Sequence, residues 1–575
     1  MSDDFFNSDM RFFLENRIDW PRYLRLKNGA PIDAAGELED WHAILRTAAD
    51  ICTEIAPMAR AGWHDEVVLE DGVVRVPPHI AKAYDLLKQA GLVCLPVSPR
   101  WGGAGSSMFL NSALLEMLSR TDASLMTIVG LQGGAAIDIE KYGSDELRDY
   151  WLPRFTSGEV QGSMDLTEPN AGSDLGGILT RVTEEDGRFF IDGSKIFITN
   201  GGCDVHLVLA RDAATFEQSK GTTNGLCLLL CPRVLRDGQT NGMRVSRVER
   251  KMGIHGSPTC AVEFEHAEGF LLGERGNGFR AMLDLMNNAR IGVSAQGLGI
   301  AEAAFHQARN YARERVQFGQ PIIRQPLVKS MLTLMALDIQ AARALLYHTC
   351  TLVDVCDAIA SHLASDREDP EFDRAALQKE YEHNHQLVRF LTPLCKFLAT
   401  ETASEVARKG VQIHGGLGFM AESAAGQYLA DSIITTIYEG TSEIQASFAL
   451  REMAKGALFT LLDDIKIQLG NLRQRFPEQT AQLDCGIEQL GATLPSLLGD
   501  PSYALLNAKR VSEMVITIIV GVELLEQATV SPERTVLASA YINRKILEVD
   551  MHARRIQSGD VTRLERYDRI LGLTD

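Results

Sequence analysis

Cysteine is scarce in this chain, ten among 575 residues. The pairs Cys227/Cys231 and Cys350/Cys356 lack partners at metal-type spacing. No metal site or disulfide framework is therefore expected, and all ten read as packing thiols in a reducing compartment. Long apolar runs are also missing. The longest lies between Glu513 and Glu523, too short to span a bilayer, and reads as a buried helix. The first residues, Met1-Ser2-Asp3-Asp4-Phe5-Phe6, show no basic region followed by an apolar one, so no secretory signal is visible. There is no basic excess: 57 Lys and Arg stand against 76 Asp and Glu, a net charge of −19. That balance argues against nucleic acid or an anionic membrane surface as the main partner, while leaving room for a local basic site for a phosphorylated ligand. No low-complexity stretch and no repeat of solenoid length is found.

What is present is ordinary for a soluble globular chain: 45% hydrophobic and 23% charged residues. The length corresponds to about four domains. Such a chain is expected to be a cytoplasmic enzyme. Apolar residues recur at helical spacing in Ala48-Ala49-Ile51-Ile55-Ala56-Ala59, in Ile80-Ala83-Tyr84-Leu87 and in Leu110-Leu114-Leu115-Met117-Leu118. Trp101-Gly102-Gly103-Ala104-Gly105 breaks that helical region. Near Gly158 the pattern changes. Arg188 to Thr199 is rich in β-formers, with Asp186-Gly187 and Asp192-Gly193 as turn dipeptides. Short strand patterns follow at Val205–Ala210, Gly225–Cys231, Met243–Val248 and Cys260–Phe264. Helical periodicity returns near 278 and continues to the end. The expected organisation is mostly α with a central β domain: helical 1–157, β 158–277, helical 278–454 and a further helical region 455–575.

Four segments bear on chemistry. Gly273-Glu274-Arg275-Gly276-Asn277-Gly278 follows a strand pattern and opens a helix, as a phosphate loop does. Its spacing is not G-x-G-x-x-G and no βαβ unit surrounds it, so a turn and helix entry is the plainer reading. Leu166-Thr167-Glu168-Pro169-Asn170-Ala171-Gly172-Ser173-Asp174 is disfavoured as helix by its Pro and Gly. It offers backbone N–H groups and the Thr167 and Ser173 hydroxyls to an anionic ligand edge, or is a plain loop. In His414-Gly415-Gly416-Leu417-Gly418-Phe419 the paired glycines permit close approach to the backbone, and His414 reads as structural. Finally, Ile437-Tyr438-Glu439-Gly440-Thr441-Ser442-Glu443 puts a carboxylate between Tyr and Gly on a loop entering a helix. Glu439 is either a solvated loop residue or a base, whose pKa an apolar setting would raise toward proton abstraction.

Of these, Leu166-Thr167-Glu168-Pro169 with Ala171-Gly172-Ser173-Asp174, Gln412-Ile413-His414-Gly415-Gly416 and Tyr438-Glu439-Gly440-Thr441 recur in one order with Lys195-Ile196-Phe197-Ile198-Thr199-Asn200-Gly201, Lys251-Met252-Gly253-Ile254-His255-Gly256-Ser257 and Arg313-Glu314-Arg315-Val316-Gln317-Phe318-Gly319. That collinear set, over roughly residues 40–455, resembles the acyl-CoA dehydrogenase family. The resemblance implies a helical N-terminal domain, a β-barrel-like middle domain and a C-terminal four-helix bundle. It implies FAD, an acyl-CoA thioester and α,β-dehydrogenation to the trans-2-enoyl-CoA, with hydride passing to flavin N5. Glu439 matches the family's catalytic glutamate, which takes the pro-R α-proton. The alternative base position of some members matches Ala289, which has no carboxylate. The resemblance implies that the thioester oxygen is hydrogen-bonded by the backbone N–H of the glutamate and a flavin ribityl hydroxyl.

By the same resemblance the FAD contacts are Met164, Leu166, Thr167, Gly172, Ser173, Phe197, Thr199, Arg315, Gln317, Gln412, Gly415, Gly416, Thr441 and Glu443. Phe197 replaces the usual tryptophan, and Arg315 and Gln317 match residues reaching a neighbouring subunit's FAD. Ser173, Asn287, Arg290 and Gly440 match substrate contacts, although Asn287 and Arg290 are equally a helix surface and a structural pair. Glu443 departs from the common Gln or Asn, and Gln325-Pro326 from a commoner His-Gln pair.

Short members of the family end soon after the catalytic motif, whereas over 100 residues follow it here. Arg290-Ile291-Gly292-Val293, Tyr311-Ala312-Arg313-Glu314-Arg315, Pro321-Ile322-Ile323-Arg324 and Asp9-Met10-Arg11-Phe12-Phe13-Leu14 resemble the long bacterial type, which includes 3-methylmercaptopropionyl-CoA and long-type fatty acyl-CoA dehydrogenases. The resemblance implies a homodimer, with the extra helices taking surface that a second dimer covers in short tetrameric members. Arg554, Arg555, Arg563, Arg566 and Arg569 are interleaved with acids and read as a solvated face rather than a membrane strip. Electrons are expected to pass to an electron-transfer flavoprotein. The alternatives are an acyl-CoA oxidase using O₂ and, from a different class, a DNA-associated flavoprotein of the same fold. The latter wants a basic tail, but residues 455–575 hold 14 basic and 16 acidic side chains. A desulfinase-type relative, or a flavin protein without turnover, fits poorly with an intact Tyr438-Glu439-Gly440-Thr441.

Overall fold

The computed structural model describes residues 5–29, 33–367 and 369–573. Seven helices come first: α1 (Ser8–Asn16), α2 (Trp20–Asn28), α3 (Ala34–Ala61), α4 (Pro78–Gln89), α5 (Met108–Thr121), α6 (Ala123–Tyr142) and α7 (Asp145–Thr156). A small hairpin, β1 (Val68–Glu70) and β2 (Val73–Arg75), sits between α3 and α4 in sequence. The strands β3 (Gly162–Asp165), β4 (Arg181–Glu185), β5 (Arg188–Thr199), β6 (Val205–Asp212), β7 (Leu226–Pro232), β8 (Met243–Val248) and β9 (Thr259–Leu272) follow, with the short α8 (Phe216–Ser219) among them. Then come α9 (Gly278–Glu314), the hairpin β10 (Val316–Gln317) and β11 (Gln320–Pro321), α10 (Pro326–Ala364), α11 (Arg374–His414), α12 (Ala424–Thr435) and α13 (Ser442–Ala454). The chain finishes with α14 (Ala457–Leu472), α15 (Pro477–Leu498), α16 (Pro501–Leu506), α17 (Ala508–Val530), α18 (Thr535–Gln557), α19 (Thr562–Glu565) and α20 (Tyr567–Leu571). The fold class read from the sequence, mostly helical with a central β domain, is the one observed.

The residues divide into two compact units. One comprises Met1–Trp20, Asp33–Val328 and Ala403–Glu439. In it α5 and α6 pack on α9, and α3 packs on α5. Side-chain caps start these helices where sequence chemistry dictates: Ser107 for α5, Asp122 for α6 and Ser144 for α7. The β strands close on themselves. β6 pairs with β4 and β7, β4 with β5, and β5 and β7 both with β9, so five strands form a ring with β3 and β8 appended. β6 and β7 are buried along their whole length, which explains the continuous apolar run from Leu226 to Cys231 in β7.

Gly278 decides how α9 leaves this ring. A Cβ there would lie 2.2 Å from the backbone nitrogen of Leu228, so only glycine lets the helix begin against β7. The Gly276 N–H donates to Cys227 Sγ at 3.2 Å, and Arg275 pairs with Asp212 at 2.6 Å and with Glu184. The 273–278 loop thus serves as a turn and helix entry.

The other unit comprises Pro21–Ile32, Lys329–Thr402 and Gly440–Asp575. α17 is its axis. Val511, Met514, Val515, Ile518, Val520, Leu524 and Leu525 are all buried, so this helix is apolar all round because α13, α14, α15 and α18 surround it. The Glu513–Glu523 run is its middle, as the sequence indicated. Among the described residues no helix is long and apolar enough to cross a membrane.

Six strands escaped the sequence reading: β1, β2, β3, β4, β10 and β11. β4 reads Arg-Val-Thr-Glu-Glu, with one buried residue, and its charge conceals it. One cysteine corrects the expectation for all ten. Nine are buried, but Cys485 is exposed on α15, on a surface turn of that helix where no core reaches it.

Candidate active site

Glu439 lies on the short connection between α12 and α13, and its backbone is left-handed, with φ of +56°. Gly440 continues at φ of +93°. A Cβ at Gly440 would also lie 2.7 Å from Gln445 Nε2, so glycine is required there on two grounds. A left-handed non-glycine residue costs about 1–3 kcal/mol and persists only where its surroundings hold it. Here the Arg290 Nε donates to the Glu439 carbonyl at 3.4 Å. The Tyr438 phenol donates to the Gln296 side-chain oxygen. Gln296, fully buried on α9, donates in turn to the Ala123 carbonyl at 3.2 Å. Burial, and next the Glu439 carboxylate, push the Tyr438 phenol up, so it stays a donor at every physiological pH. Glu439 as a residue is half-buried.

Arg290 is buried, and burial pushes its guanidinium down from the ordinary value, with the Glu439 charge pulling it back. It donates to Asn287 Oδ1 at 2.8 Å. The two residues matched to substrate contacts on α9 are therefore bonded to each other, and one of them holds the Glu439 backbone. After Gly440, the Thr441 hydroxyl accepts from the Ile444 N–H at 3.4 Å and caps α13. Glu443 is exposed and pairs with Lys509 at 2.6 Å.

A second group forms where β3 runs into the 166–180 loop. Glu168 and Ala171 exchange backbone hydrogen bonds of 3.1 and 3.0 Å, which tightens the loop. The Glu168 carboxylate accepts from the Leu179 and Thr180 N–H groups at 2.7 and 3.0 Å and from Lys195 Nζ at 2.8 Å. Lys195, wholly buried, also donates to the Leu166 carbonyl at 2.9 Å. Burial works to raise the Glu168 pKa, but the Lys195 ammonium and the hydrogen bonds outweigh it and hold the carboxyl below its ordinary value. Arg211, also fully buried, donates to the carbonyls of Gly176, Ile178, Ser219, Thr222 and Asn224 at 2.7 to 3.2 Å. Both limbs of the loop are thus fixed from inside, and Gly172, Ser173 and Asp174 are left exposed at its tip.

The Ile196 N–H donates to the Thr167 carbonyl at 2.9 Å, which joins this loop to β5 beside Phe197. Phe197 is left-handed, φ +59°, and 60% exposed, an aromatic ring presented rather than packed. Thr167 and Thr199 are half-buried, while Met164 and Leu166 are buried in the core. The structure thereby sets Thr167 beside the stretch of β5 that carries Phe197 and Thr199, and leaves the Gly172–Ser173 tip exposed further along the same loop.

A third group is solvent-facing. Arg315 and Gln317 are exposed at the β10–β11 hairpin, with Phe318 at 93% exposure. Gln412, Gly415 and Gly416 are exposed at the end of α11. His414, between them, is buried: its Nδ1 donates to the Gly410 carbonyl at 2.8 Å and its ring stacks on Tyr311 at 4.4 Å. That contact ties the end of α11 to the end of α9, four residues before Arg315. His414 is structural, as read from the sequence. Among the described residues no cluster suited to a metal ion occurs.

Sequence reasoning missed Gln296, Arg211 and the Glu168–Lys195 pair as supports. Gln296, Arg211 and Lys195 are polar residues in otherwise apolar or β-forming stretches, which is the signal that was available.

Comparison with known proteins fits this arrangement. The chain matches the acyl-CoA dehydrogenase N-terminal domain over residues 39–159, the middle domain over 163–267 and the C-terminal domain over 276–362 and 373–454. It is 36% identical over 460 residues to the 3-methylmercaptopropionyl-CoA dehydrogenase of Ruegeria pomeroyi, covering 76% of this chain and 74% of that one. Among solved structures, butyryl-CoA dehydrogenase from Megasphaera elsdenii is similar with a TM-score of 0.59 and 28% identity, over 73% of this chain and 98% of that one. An acyl-CoA dehydrogenase from Bacillus anthracis complexed with FAD shares the fold with a TM-score of 0.74 at 22% identity, over 90% and 88% of the two chains. With the loop, the closed strand ring and these matches in hand, the chain belongs to the acyl-CoA dehydrogenase family and is an oxidoreductase of that family.

Proposed function

We propose that this protein dehydrogenates an acyl-CoA thioester between Cα and Cβ, with Glu439 as the base and FAD as the cofactor. The observation that carries the reading is the conformation of Glu439, left-handed and held through its own carbonyl by Arg290 and through Tyr438 by Gln296. A carboxylate on a backbone fixed this way has a defined place from which to meet one proton.

The residues present fit FAD. The Gly172–Ser173 tip is exposed while its limbs are anchored, and nothing occupies the space where a Gly172 Cβ would stand. Phe197 offers an open aromatic face beside Thr167 and Thr199. These residues, with the main chain of Met164 and Leu166, would hold the flavin half and pyrophosphate. Gln412, Gly415 and Gly416 would lie on the adenine half, and Thr441 and Glu443 are further proposed FAD contacts. Bound FAD supplies the acceptor for the β-hydrogen as hydride.

The chain's own part is proton transfer and positioning. Glu439 takes the α-proton, and Arg290 and Gln296 keep its backbone from relaxing. The Glu439 N–H is one donor for the thioester oxygen, where negative charge develops as the proton leaves. Asn287, Arg290, Ser173 and Gly440 line the route of the acyl-CoA. An electron-transfer flavoprotein re-oxidises the enzyme, in the cytoplasm. The working form is a homodimer, in which exposed Arg315 and Gln317 reach the partner copy's FAD.

Anaerobic titration of the purified holoenzyme with butyryl-, palmitoyl- and 3-methylmercaptopropionyl-CoA tests the reading. One of them should bleach the oxidised flavin's visible band, and Glu439→Gln should keep the flavin but lose most of the bleaching. Normal bleaching by the mutant would overturn Glu439 as base. Oxygen uptake without any added acceptor would replace the flavoprotein partner by O₂. Light scattering on the eluted protein checks the dimer.

A further inference from the structure

The residue after the proposed base carries an unusual partner. Lys396 on α11 has no solvent exposure, and its Nζ donates to the Gly440 carbonyl at 2.6 Å. Gln445, equally buried, donates its Nε2 to the same oxygen at 3.0 Å. Five residues along α11 from Lys396, Glu401 accepts from the Ser442 hydroxyl at 2.5 Å. One helix thus grips the chain on both sides of Thr441.

A backbone carbonyl has two lone pairs, and Gln445 alone would satisfy one of them without any charge. An ammonium group is costly to bury, and a charge-assisted hydrogen bond is about twice as strong as a neutral one. The bond is made to Gly440, where two successive left-handed residues set the direction of the preceding side chain. A displacement of about 1 Å in a reacting group can cost on the order of a hundredfold in rate.

We propose that Lys396 is a positioning residue for dehydrogenation: through the Gly440 carbonyl it fixes the aim of the Glu439 carboxylate. The proposal rests on the reading of Glu439 as the base. Lys396 itself exchanges no proton with substrate.

The test compares holoenzyme Lys396→Met, Lys396→Arg and Glu439→Gln with wild type. Three readouts are taken: bound flavin per chain, the shift of the flavin band on titration with a 2-enoyl-CoA, and the stopped-flow rate of bleaching by a saturating acyl-CoA. Lys396→Met should keep its flavin and the enoyl-CoA midpoint while bleaching about 10- to 100-fold more slowly. Lys396→Arg, which restores a cationic donor, should recover part of that rate. If Lys396→Met fails to fold, Lys396→Gln is read in its place. Bleaching at the wild-type rate with flavin retained would overturn the proposal. So would a parallel loss of flavin, enoyl-CoA binding and rate, which marks a merely structural tie. Persistent bleaching by Glu439→Gln would instead overturn the base assignment.

Discussion

The Tyr438 phenol donates its hydrogen bond to the side chain of Gln296, a residue of α9 that is completely buried. This bond couples the residue before the proposed base to the longest helix of its unit. Tyr438→Phe leaves the Gln296 oxygen without that donor inside the protein. A loss of about 1–3 kcal/mol is expected from stranding a buried polar atom. Urea unfolding should register it, and flavin bleaching should slow while the flavin stays bound.

The Glu168–Lys195 pair makes a stronger prediction. Both side chains are buried, and Lys195→Met would leave a buried carboxylate without the ammonium that donates to it. Breaking a buried pair from one side costs about 3–5 kcal/mol. The 166–180 loop should loosen with it, so the purified variant should carry less flavin than wild type. Normal flavin content and an unchanged urea midpoint would show that the pair supports neither.

Asp431 predicts a pH dependence. It is buried on α12, and burial, with the charge of Asp122 adding to it, raises its pKa from 3.8 to about 7, against the pull of the Ile254 N–H and Trp63. The unfolded chain gives up this proton near the ordinary value and the folded one near neutrality. Its contribution to stability is therefore complete below pH 4 and is lost as pH rises toward 7. The slope over that window is about 1.4 kcal/mol per pH unit. Asp431→Asn should flatten the urea midpoint between pH 5 and 7 relative to wild type. An unaltered profile would assign the slope to other groups.

Arg315 is exposed beside the β10–β11 hairpin. Arg315→Ala removes a charge from a proposed phosphate contact without disturbing any core. Flavin should then be lost during gel filtration at a salt concentration that wild type withstands. Full retention would reject the contact.

Much of the fold was legible because it rests on local patterns. The helical spacing of Ile80–Leu87 and the β-formers of Arg188–Thr199 are core-facing periodicities, and the structure contains α4 and β5 there. The Tyr438-Glu439-Gly440-Thr441 loop was visible as a carboxylate beside glycine ahead of a helix, and the structure shows why glycine must follow it. The supports were hidden for a different reason. Gln296 lies 142 positions before Tyr438, and Lys195 lies 27 positions after Glu168, so no local window contains both partners. Arg211 serves five carbonyls whose orientation depends on loops that only the closed strand ring brings near. The ion-pair partner of Glu443, Lys509, lies 66 positions on in a helix beyond the family-like region, so the motif gave no sign of it.

The uneven burial of the cysteines turns the native protein into its own unfolding reporter. A thiol-alkylating reagent should mark Cys485 at once and leave the nine buried thiols unmarked. Burial also pushes the Cys52 and Cys94 thiols up to about 12, so little reactive thiolate exists there even when reagent arrives. Cys52, Cys94, Cys203, Cys227, Cys231 and Cys260 lie in one compact unit, and Cys350, Cys356 and Cys395 in the other. The order in which alkylated peptides appear as denaturant rises would thus tell which unit opens first, with no engineered label needed.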